Sequence, residues 1–408
     1  MGRDYDFPFT IADVCGLLDL KVRRRLQNSM YVDCPFCANG KKGKMNINFA
    51  KDTFRCNYND EHAGGMIELY ARYRGISRSD AYREICDALR VGRTSPAEFG
   101  GKKTEPAPLV DTVDIADLET RHQTYSMLFS GLLLTPTHRK ELLRRGLSEE
   151  QIDKNGYRST PAFGFTQTAE RLLKQGCTLK GVPGFFQTKA GEWTMNFNAK
   201  CSGILIPVKS IDGRIQGAQI RLDHPFEDAK YIWFSSADKL MGCSSGSPVH
   251  FVGDPQCETV FVTEGPLKGD VAHALSGKSF LCIAGVGQTK ELGPALCILK
   301  GIALKKVVEA HDMDKHLPLT CHWDCGEKCD ACEYRESYRD LNICPRKERK
   351  REAIRRGCSK LLEICHDLEL PAVRLTWDKK PDGDWAGNWK GIDDYQFATK
   401  RRDGAQVQ

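Results

Sequence analysis

The hydrophobic pattern divides the chain into stretches of different period. Thr259-Val260-Phe261-Val262 and Ala303-Leu304-Lys305-Lys306-Val307-Val308 are short, strongly apolar runs that read as buried parallel strands. Around them strand-like and helix-like spacing alternates from Thr259 to about Thr399, which predicts a parallel sheet. Gly203–Val208 and Gly213–Ile220 predict two strands around Asp212-Gly213, a strong hairpin signal. Arg139–Leu143 predicts a helix closed by Gly146, a natural C-cap. Nearer the start, helices are predicted over Ile11–Leu26 and from Met66, on either side of a cysteine-bearing β segment. Late in the chain Ile354, Cys358, Leu361, Leu362 and Cys365 keep helical spacing. Pro345–Lys360 carries eight Lys/Arg against two Glu, so this helix packs on the sheet with a basic outer face.

At 408 residues the chain has room for two or three domains of roughly 100–200 residues each. Gly92 to Pro108, rich in Gly, Pro, Thr and Lys, reads as a linker. No apolar run approaches the roughly 18–20 residues of a membrane helix. Met1-Gly2-Arg3-Asp4-Tyr5-Asp6 lacks the basic-then-apolar form of a secretory signal. Eighteen cysteines without such a signal imply a reducing, cytoplasmic setting, where thiols serve as metal ligands and core residues. The net charge of +6 favours a polyanionic partner only weakly.

Three acidic clusters supply candidate chemistry: Thr263-Glu264-Gly265, His311-Asp312-Met313-Asp314 and Gly391-Ile392-Asp393-Asp394. The first two follow the apolar runs, so their carboxylates fall at strand carboxyl ends, where open α/β sheets place ligands. A Glu from one strand and an Asp-x-Asp pair from the next give the hard oxygen ligands that Mg²⁺ uses on phosphate esters. Capping or surface charge would explain any single cluster. For Glu264, Asp312 and Asp314 the ordered set favours metal-assisted phosphoryl transfer on nucleic acid; for Asp393 and Asp394 capping is an equal alternative. Lys268 would lie one turn beyond Glu264, pointing at phosphate. Gly277-Lys278-Ser279 mimics the end of a P-loop, but Ala272 replaces its required Gly, which excludes that type of ATPase site.

Cys34-Pro35-Phe36-Cys37 is a knuckle pair, followed by Met45–Phe49, then Thr53-Phe54-Arg55 leading into Cys56, and finally His62. That is the order of a zinc ribbon, and a closed Cys₃His set is structural rather than catalytic. The gap from Cys56 to His62 requires Asn57 to Glu61 to form a small bulge. Lys41, Lys42, Lys44, Lys51 and Arg55, with Phe36, Phe49, Phe54 and Tyr58, combine phosphate attraction with base stacking, as single-stranded DNA requires. A solvated basic surface is the bland alternative. A second group, Cys321, Cys325, Cys329 and Cys332, has ligand spacing at Cys329-Asp330-Ala331-Cys332. For that group a second structural zinc and a loose, reduced loop are both open. Cys15, Cys86, Cys177, Cys201, Cys243, Cys257, Cys282 and Cys297 are expected mostly as core thiols.

On these residues the chain resembles a bacterial DnaG-type primase. Cys34-Pro35-Phe36-Cys37 through His62-Ala63-Gly64-Gly65-Met66-Ile67 resembles that family's zinc-binding domain. Arg145-Gly146-Leu147-Ser148-Glu149-Glu150-Gln151-Ile152 resembles a stretch early in its polymerase core. Ile204 to Arg221 and Lys230–Ser235 resemble the hairpin region before its catalytic sheet, and the chain from Val260 onward resembles the Toprim fold. The implied architecture is α/β and α+β multidomain. It comprises a zinc-ribbon DNA-binding domain over 1–91, a linker over 92–110 and a mixed α/β primase-core subdomain over 111–258. A Toprim parallel-sheet catalytic domain over 259–400 follows, with a Cys-rich insertion near 318–346.

The chain also departs from the family pattern. The family's ligand order is Cys-His-Cys-Cys, whereas His comes last here. Pro266-Leu267-Lys268-Gly269-Asp270 after Glu264-Gly265 is longer than the usual primase spacing, and Gly391 stands where an Asp is usual. The chain stops soon after the Toprim-like region, without the family's helicase-binding domain, a form that resembles stand-alone primases of mobile elements.

The reaction implied is template-directed synthesis of short RNA primers, in which a 3′-hydroxyl attacks an α-phosphate and pyrophosphate leaves. The resemblance implies structural Zn²⁺ and catalytic Mg²⁺ or Mn²⁺. Its partners would be a single-stranded DNA template, ribonucleoside triphosphates and a replicative helicase, with no membrane. Glu264, Asp312 and Asp314 would hold the catalytic ions, with Asp270 and Asp393 as further candidates, and Glu264 alternatively as general acid or base. Arg221 and Lys230 match basic positions that contact nucleotide or template. Two readings compete: a Toprim-type nuclease, and a non-catalytic single-stranded-DNA-binding adapter.

Overall fold

The computed structural model describes residues 9–26, 28–37, 42–59, 62–91, 112–198, 201–226, 229–237, 239–322, 329, 332 and 343–405. The linker expected at 92–110 lies outside them, as do Lys41 and Cys325. The chain forms two compact units, one of Met1–Asp114 with Ala237–Cys243 and one of Ile115–Ser236 with Ser244–Gln408.

The first unit is built on an antiparallel sheet in sequence order: β1 (Val22–Leu26), β2 (Ser29–Val32), β3 (Met45–Asn48), β4 (Thr53–Cys56) and β5 (Ala63–Gly65). Buried and more exposed positions alternate along β2, β3 and β4, so one sheet face is covered. Met30, Val32, Met45, Ile47 and Phe54 pack with residues of α1 (Ile11–Gly16), α2 (Met66–Arg74) and α3 (Arg78–Val91). The helix expected over Ile11–Leu26 stops at Gly16. Val22–Leu26 instead pairs antiparallel with Ser29–Val32, so cross-strand pairing outweighs the helical spacing of its apolar residues.

The second unit contains α4 (Leu118–Ser130), α5 (Pro136–Arg144), α6 (Glu149–Asn155) and α7 (Phe165–Lys174) around an antiparallel sheet. That sheet comprises β6 (Arg158–Ser159), β9 (Gly203–Lys209), β10 (Ile215–Phe226) and β11 (Ala229–Trp233), in the order β11-β10-β9-β6. β7 (Phe185–Gln187) and β8 (Trp193–Met195) form a separate ribbon. The expected hairpin is present: β9 and β10 pair from Lys209↔Ile215 to Gly203↔Leu222 around Asp212-Gly213.

A further sheet runs β12 (His250–Val252), β14 (Ser279–Ile283), β13 (Thr259–Glu264), β15 (Lys306–Glu309), β16 (Ala372–Arg374). β12 is antiparallel to β14, and the other neighbours are parallel. Val260, Val262, Leu281 and Val307 pack with α9 (Leu292–Ile302) and the long helix Pro345–Asp367. Phe261, Phe280, Cys282 and Val308 belong to the core that includes α8 (Pro266–Ser276) and the helix Ile392–Ala405. Cover on both faces is why these strands read as continuous apolar runs. In the long helix the buried positions include Cys358, Leu361 and Cys365, as the spacing predicted.

One more core joins Leu142, Leu147, Ile152, Tyr157, Ile204 and Ile206 to Leu267 and Val271 of α8. α8 is shared between this core and the parallel sheet, and Ile115–Ser236 lies in one compact unit with Ser244–Gln408. Among the described residues no helix is long and apolar enough to cross a membrane.

Candidate metal and catalytic sites

In the first unit Cys34, Cys37, Cys56 and His62 bring one donor atom each to within 4.8 Å of one another. Cys37 Sγ lies 3.7 Å from Cys56 Sγ and 3.4 Å from His62 Nδ1, and Cys34 Sγ lies 3.6 Å from His62 Nδ1. Sulfurs about 2.3 Å from a tetrahedral Zn²⁺ would be separated by about 3.8 Å, so the donors stand at the spacing such an ion needs. The Cys56–His62 gap is closed by backbone bonds: Cys56 N–H donates to the His62 carbonyl at 2.8 Å, and His62 N–H to that of Asn59 at 3.1 Å. Tyr58 N–H donates to Cys56 Sγ at 3.4 Å, an outer contact of the kind that orients a ligand. Burial, then the neighbouring Cys34 and Cys56 sulfurs, raises the Cys37 thiol, which a bound cation would reverse.

Of the basic and aromatic residues around this cluster, Lys42, Lys51, Arg55 and Tyr58 are exposed. Phe54 is core, and Phe36 packs between Phe54 and His62. Among the described residues no second metal-holding group forms around Cys321, Cys329 and Cys332. Of the scattered cysteines Cys201, Cys243 and Cys282 are buried, and Cys297 is exposed on α9.

In the second unit the acidic residues are positioned by β13 and β15, adjacent parallel strands. Glu264 ends β13, and Gly265 turns the chain into α8 with φ +81, a conformation that suits glycine. Beyond β15, Asp312 and Asp314 flank the fully buried Met313 at the start of a 3-10 turn, Met313–His316. The Met313 N–H donates to the Lys390 carbonyl at 3.0 Å, which ties this turn to the segment before the third cluster.

Lysines face these carboxylates. Lys268 is paired with Asp312 Oδ1, and Lys390 Nζ lies 3.4 Å from Asp312 Oδ2 and 3.0 Å from Asp314 Oδ2. Lys350, from the basic helix, lies 2.7 Å from Asp314 Oδ2. Burial would raise Asp312, but Lys268 and Lys390 hold it below the usual carboxylate range. Burial, then the Asp312 charge, raises Glu264. Burial would lower Lys268, but Asp312, Asp393 and Glu264 hold it above the ordinary lysine range. His311 is fully buried with Nδ1 3.9 Å from Glu264 Oε1, and burial lowers it to about 4.

The other candidates occupy different surroundings. Asp270 is buried in a network facing β9 and β12: Tyr157 O–H donates to Oδ2 at 2.6 Å, and His250 Nε2 lies 3.0 Å from Oδ1. His250 Nδ1 in turn accepts the Lys209 N–H at 2.9 Å. Asp393 is buried, and burial raises it to about 6, while Asp394 is exposed and accepts the Gly391 N–H at 3.3 Å. Arg221 is paired with Glu141, and Lys230 is exposed on the neighbouring strand. The sequence reading assigned no role to Lys390 or Lys350. The Trp389-Lys390-Gly391 step beside the third cluster was the available signal for the first; Lys350 lay hidden among the other basic residues of its helix.

No protein-family model matches the chain, and no curated protein does. Solved structures do resemble it. The Aquifex aeolicus primase zinc-binding and RNA polymerase domains match at 17% identity and TM-score 0.36, over 75% of this chain and 70% of that one. The RNA polymerase domain of Mycobacterium tuberculosis primase DnaG matches at 14% and 0.38, over 48% and 67%. A DNA primase domain from Pseudomonas aeruginosa matches at 14% and 0.34, over 46% and 59%, so the chain spans somewhat over half of that structure.

Proposed function

We propose that this chain is a metal-dependent primase that joins ribonucleotides on a single-stranded DNA template. The observation that carries the reading is the placement of Glu264 at the end of β13 and of the Asp312/Asp314 pair beyond the end of β15, its hydrogen-bonded parallel neighbour, partly or wholly shielded from bulk water. Their oxygens are the hard donors that Mg²⁺ or Mn²⁺ takes. Such ions, when bound, neutralise charge on the attacked α-phosphate and the leaving pyrophosphate. Within the chain, burial and then the Asp312 charge raise the Glu264 carboxyl, and His311 Nδ1 lies beside it at 3.9 Å. Lys230 and the exposed cations near the Cys₃His cluster would attract the phosphodiester backbone, and Tyr58 would offer a stacking face. Zn²⁺ would be the structural ion of that cluster, and Toprim the fold of the parallel sheet.

One observation favours the adapter reading: ammonium groups already balance Asp312 and Asp314. A single assay separates the possibilities. Incubation with single-stranded template, ribonucleotides and Mg²⁺ or Mn²⁺ should give short new RNAs on a gel. Template cleavage instead would indicate a nuclease, and binding with neither product would indicate an adapter.

A further inference from the structure

We propose that His316, Arg355, Arg374 and Lys379 form a phosphate-binding subsite that takes a phosphate group of a nucleotide or of a nucleic-acid strand. The choice of phosphate as the anion rests on the primase reading; the surplus of positive charge does not.

The four residues come from four separate parts of the second unit and meet at one peptide. His316 ends the turn Met313–His316, which also carries Asp314. Arg355 comes from the long basic helix, and its Nε–H donates at 3.0 Å to the carbonyl of Lys315, the residue before His316. Arg374 ends β16 and is paired with Glu309, the carboxylate that also holds Lys315. Lys379 forms an antiparallel bridge with Trp385, whose N–H donates to the His316 carbonyl at 2.8 Å. Arg355, Arg374 and Lys379 are exposed, and His316 is half-buried.

Positive charge is in excess here. Lys315 and Arg374 share the single carboxylate of Glu309. Arg355 and Lys379 have no carboxylate partner among the described residues. Acidic groups close by in the chain are engaged elsewhere. Asp384 lies 3.3 Å from Arg351. Asp378 accepts the Trp385 Nε1–H at 3.0 Å and the backbone N–H groups of Asn388 and Trp389 at 2.7 and 3.2 Å.

Water alone would satisfy exposed cations, but not the histidine among them. His316 Nε2 is buried and has no hydrogen-bond partner among the described residues. Burial, then the charges of Lys379, Lys315, Arg355 and Arg374, lowers the imidazole to about 4, which marks a positive field at the ring. A buried ring nitrogen left unpaired is costly, and a neutral imidazole still has one N–H to donate. An oxyanion would accept that N–H and answer the surrounding cations, and a guanidinium fork matches phosphate oxygens. His316 is two residues beyond Asp314, at most about 7 Å along the chain. A strand with one phosphate at the carboxylates could therefore rest a neighbouring phosphate here.

The test is lysine acetylation footprinting of the full, zinc-loaded chain, read residue by residue by mass spectrometry. Oligothymidylate without a terminal phosphate, a ribonucleoside triphosphate and buffer alone are compared. Acetylation of Lys379 should fall several-fold, while the exposed Lys290 and Lys305 keep their reactivity. Protection by the oligonucleotide alone identifies a strand phosphate, by the triphosphate alone a nucleotide phosphate, and by both a subsite open to either. His316→Ala and Arg355→Gln should each lose the protection with circular dichroism unchanged. Unaltered Lys379 reactivity with both ligands would overturn the proposal, as would protection retained in both variants or shared equally by Lys290 and Lys305. Footprinting needs no turnover. Primer synthesis without protection would therefore remove the subsite alone, and protection without synthesis the primase reading alone.

Discussion

Lys315 Nζ lies 2.7 Å from Glu309 Oε1, and both side chains are sealed from solvent. The same ammonium donates to the carbonyls of His311 at 2.9 Å and Leu375 at 3.0 Å, and the His311 N–H donates to Glu309 Oε1 at 3.0 Å. One buried pair thus fixes the turn that presents Asp312 and Asp314.

Lys315→Met should destabilise the second unit by about 3–5 kcal/mol at neutral pH, because it strands Glu309 in the core with Arg374 as its remaining cation. Burial would raise Glu309, but the Lys315 charge and hydrogen bond, with His311 and Arg374, together hold the carboxyl below the ordinary range. A depressed carboxyl stabilises the fold above its unfolded pKa of about 4.3, and that contribution fades as pH falls through the folded value. The gap between wild type and variant in urea denaturation should therefore be full at pH 7 and shrink in acid. A gap independent of pH would contradict this account of the pair.

The Cys₃His cluster should carry one equivalent of zinc per chain, released by a thiol-modifying reagent and lost in Cys37→Ser. Because a structural site contributes folding energy directly, its loss should also melt the first unit's near-ultraviolet dichroism. Two equivalents in the wild type, with one kept by Cys37→Ser, would reveal a second site in the Cys321–Cys344 stretch.

Tyr157→Phe should cost about 1.5–3 kcal/mol, since it removes a donor from the buried Asp270 carboxylate. The denaturation midpoint should fall with the slope unchanged. An unchanged midpoint would mean that the Tyr157–Asp270–His250 network does not key α8 to the neighbouring sheet.

What was legible in the sequence follows from which physics is local. The runs at Val260 and Val307 declared buried strands because both sheet faces are covered, and Asp212-Gly213 declared its hairpin through backbone conformation alone. The Cys34-Pro35-Phe36-Cys37 knuckle was readable because ligand spacing is itself local. Ile11–Leu26 misled because helical spacing in its apolar residues competes with a strand pairing that only the folded chain supplies. Asp270 could be seen as acidic and near Glu264, but not as the partner of Tyr157 and His250, which lie 113 and 20 residues away. Lys268 was visible one turn beyond Glu264 but not as the partner of Asp312, and the other two lysines on Asp312 and Asp314 were hidden for the same reason. Lys390 and Lys350 reach the cluster through the sheet's topology, and a basic helix face carries no mark of which residue turns inward.

The most direct test of the central claim is the rate of first phosphodiester formation on a single-stranded template with saturating Mn²⁺, compared across wild type, Glu264→Gln and Asp314→Asn. If these carboxylates jointly hold the reacting phosphate's cations, each variant should lose at least about a hundredfold in rate while template affinity is unchanged. A variant that keeps a rate within about tenfold of wild type would place the chemistry elsewhere in the molecule.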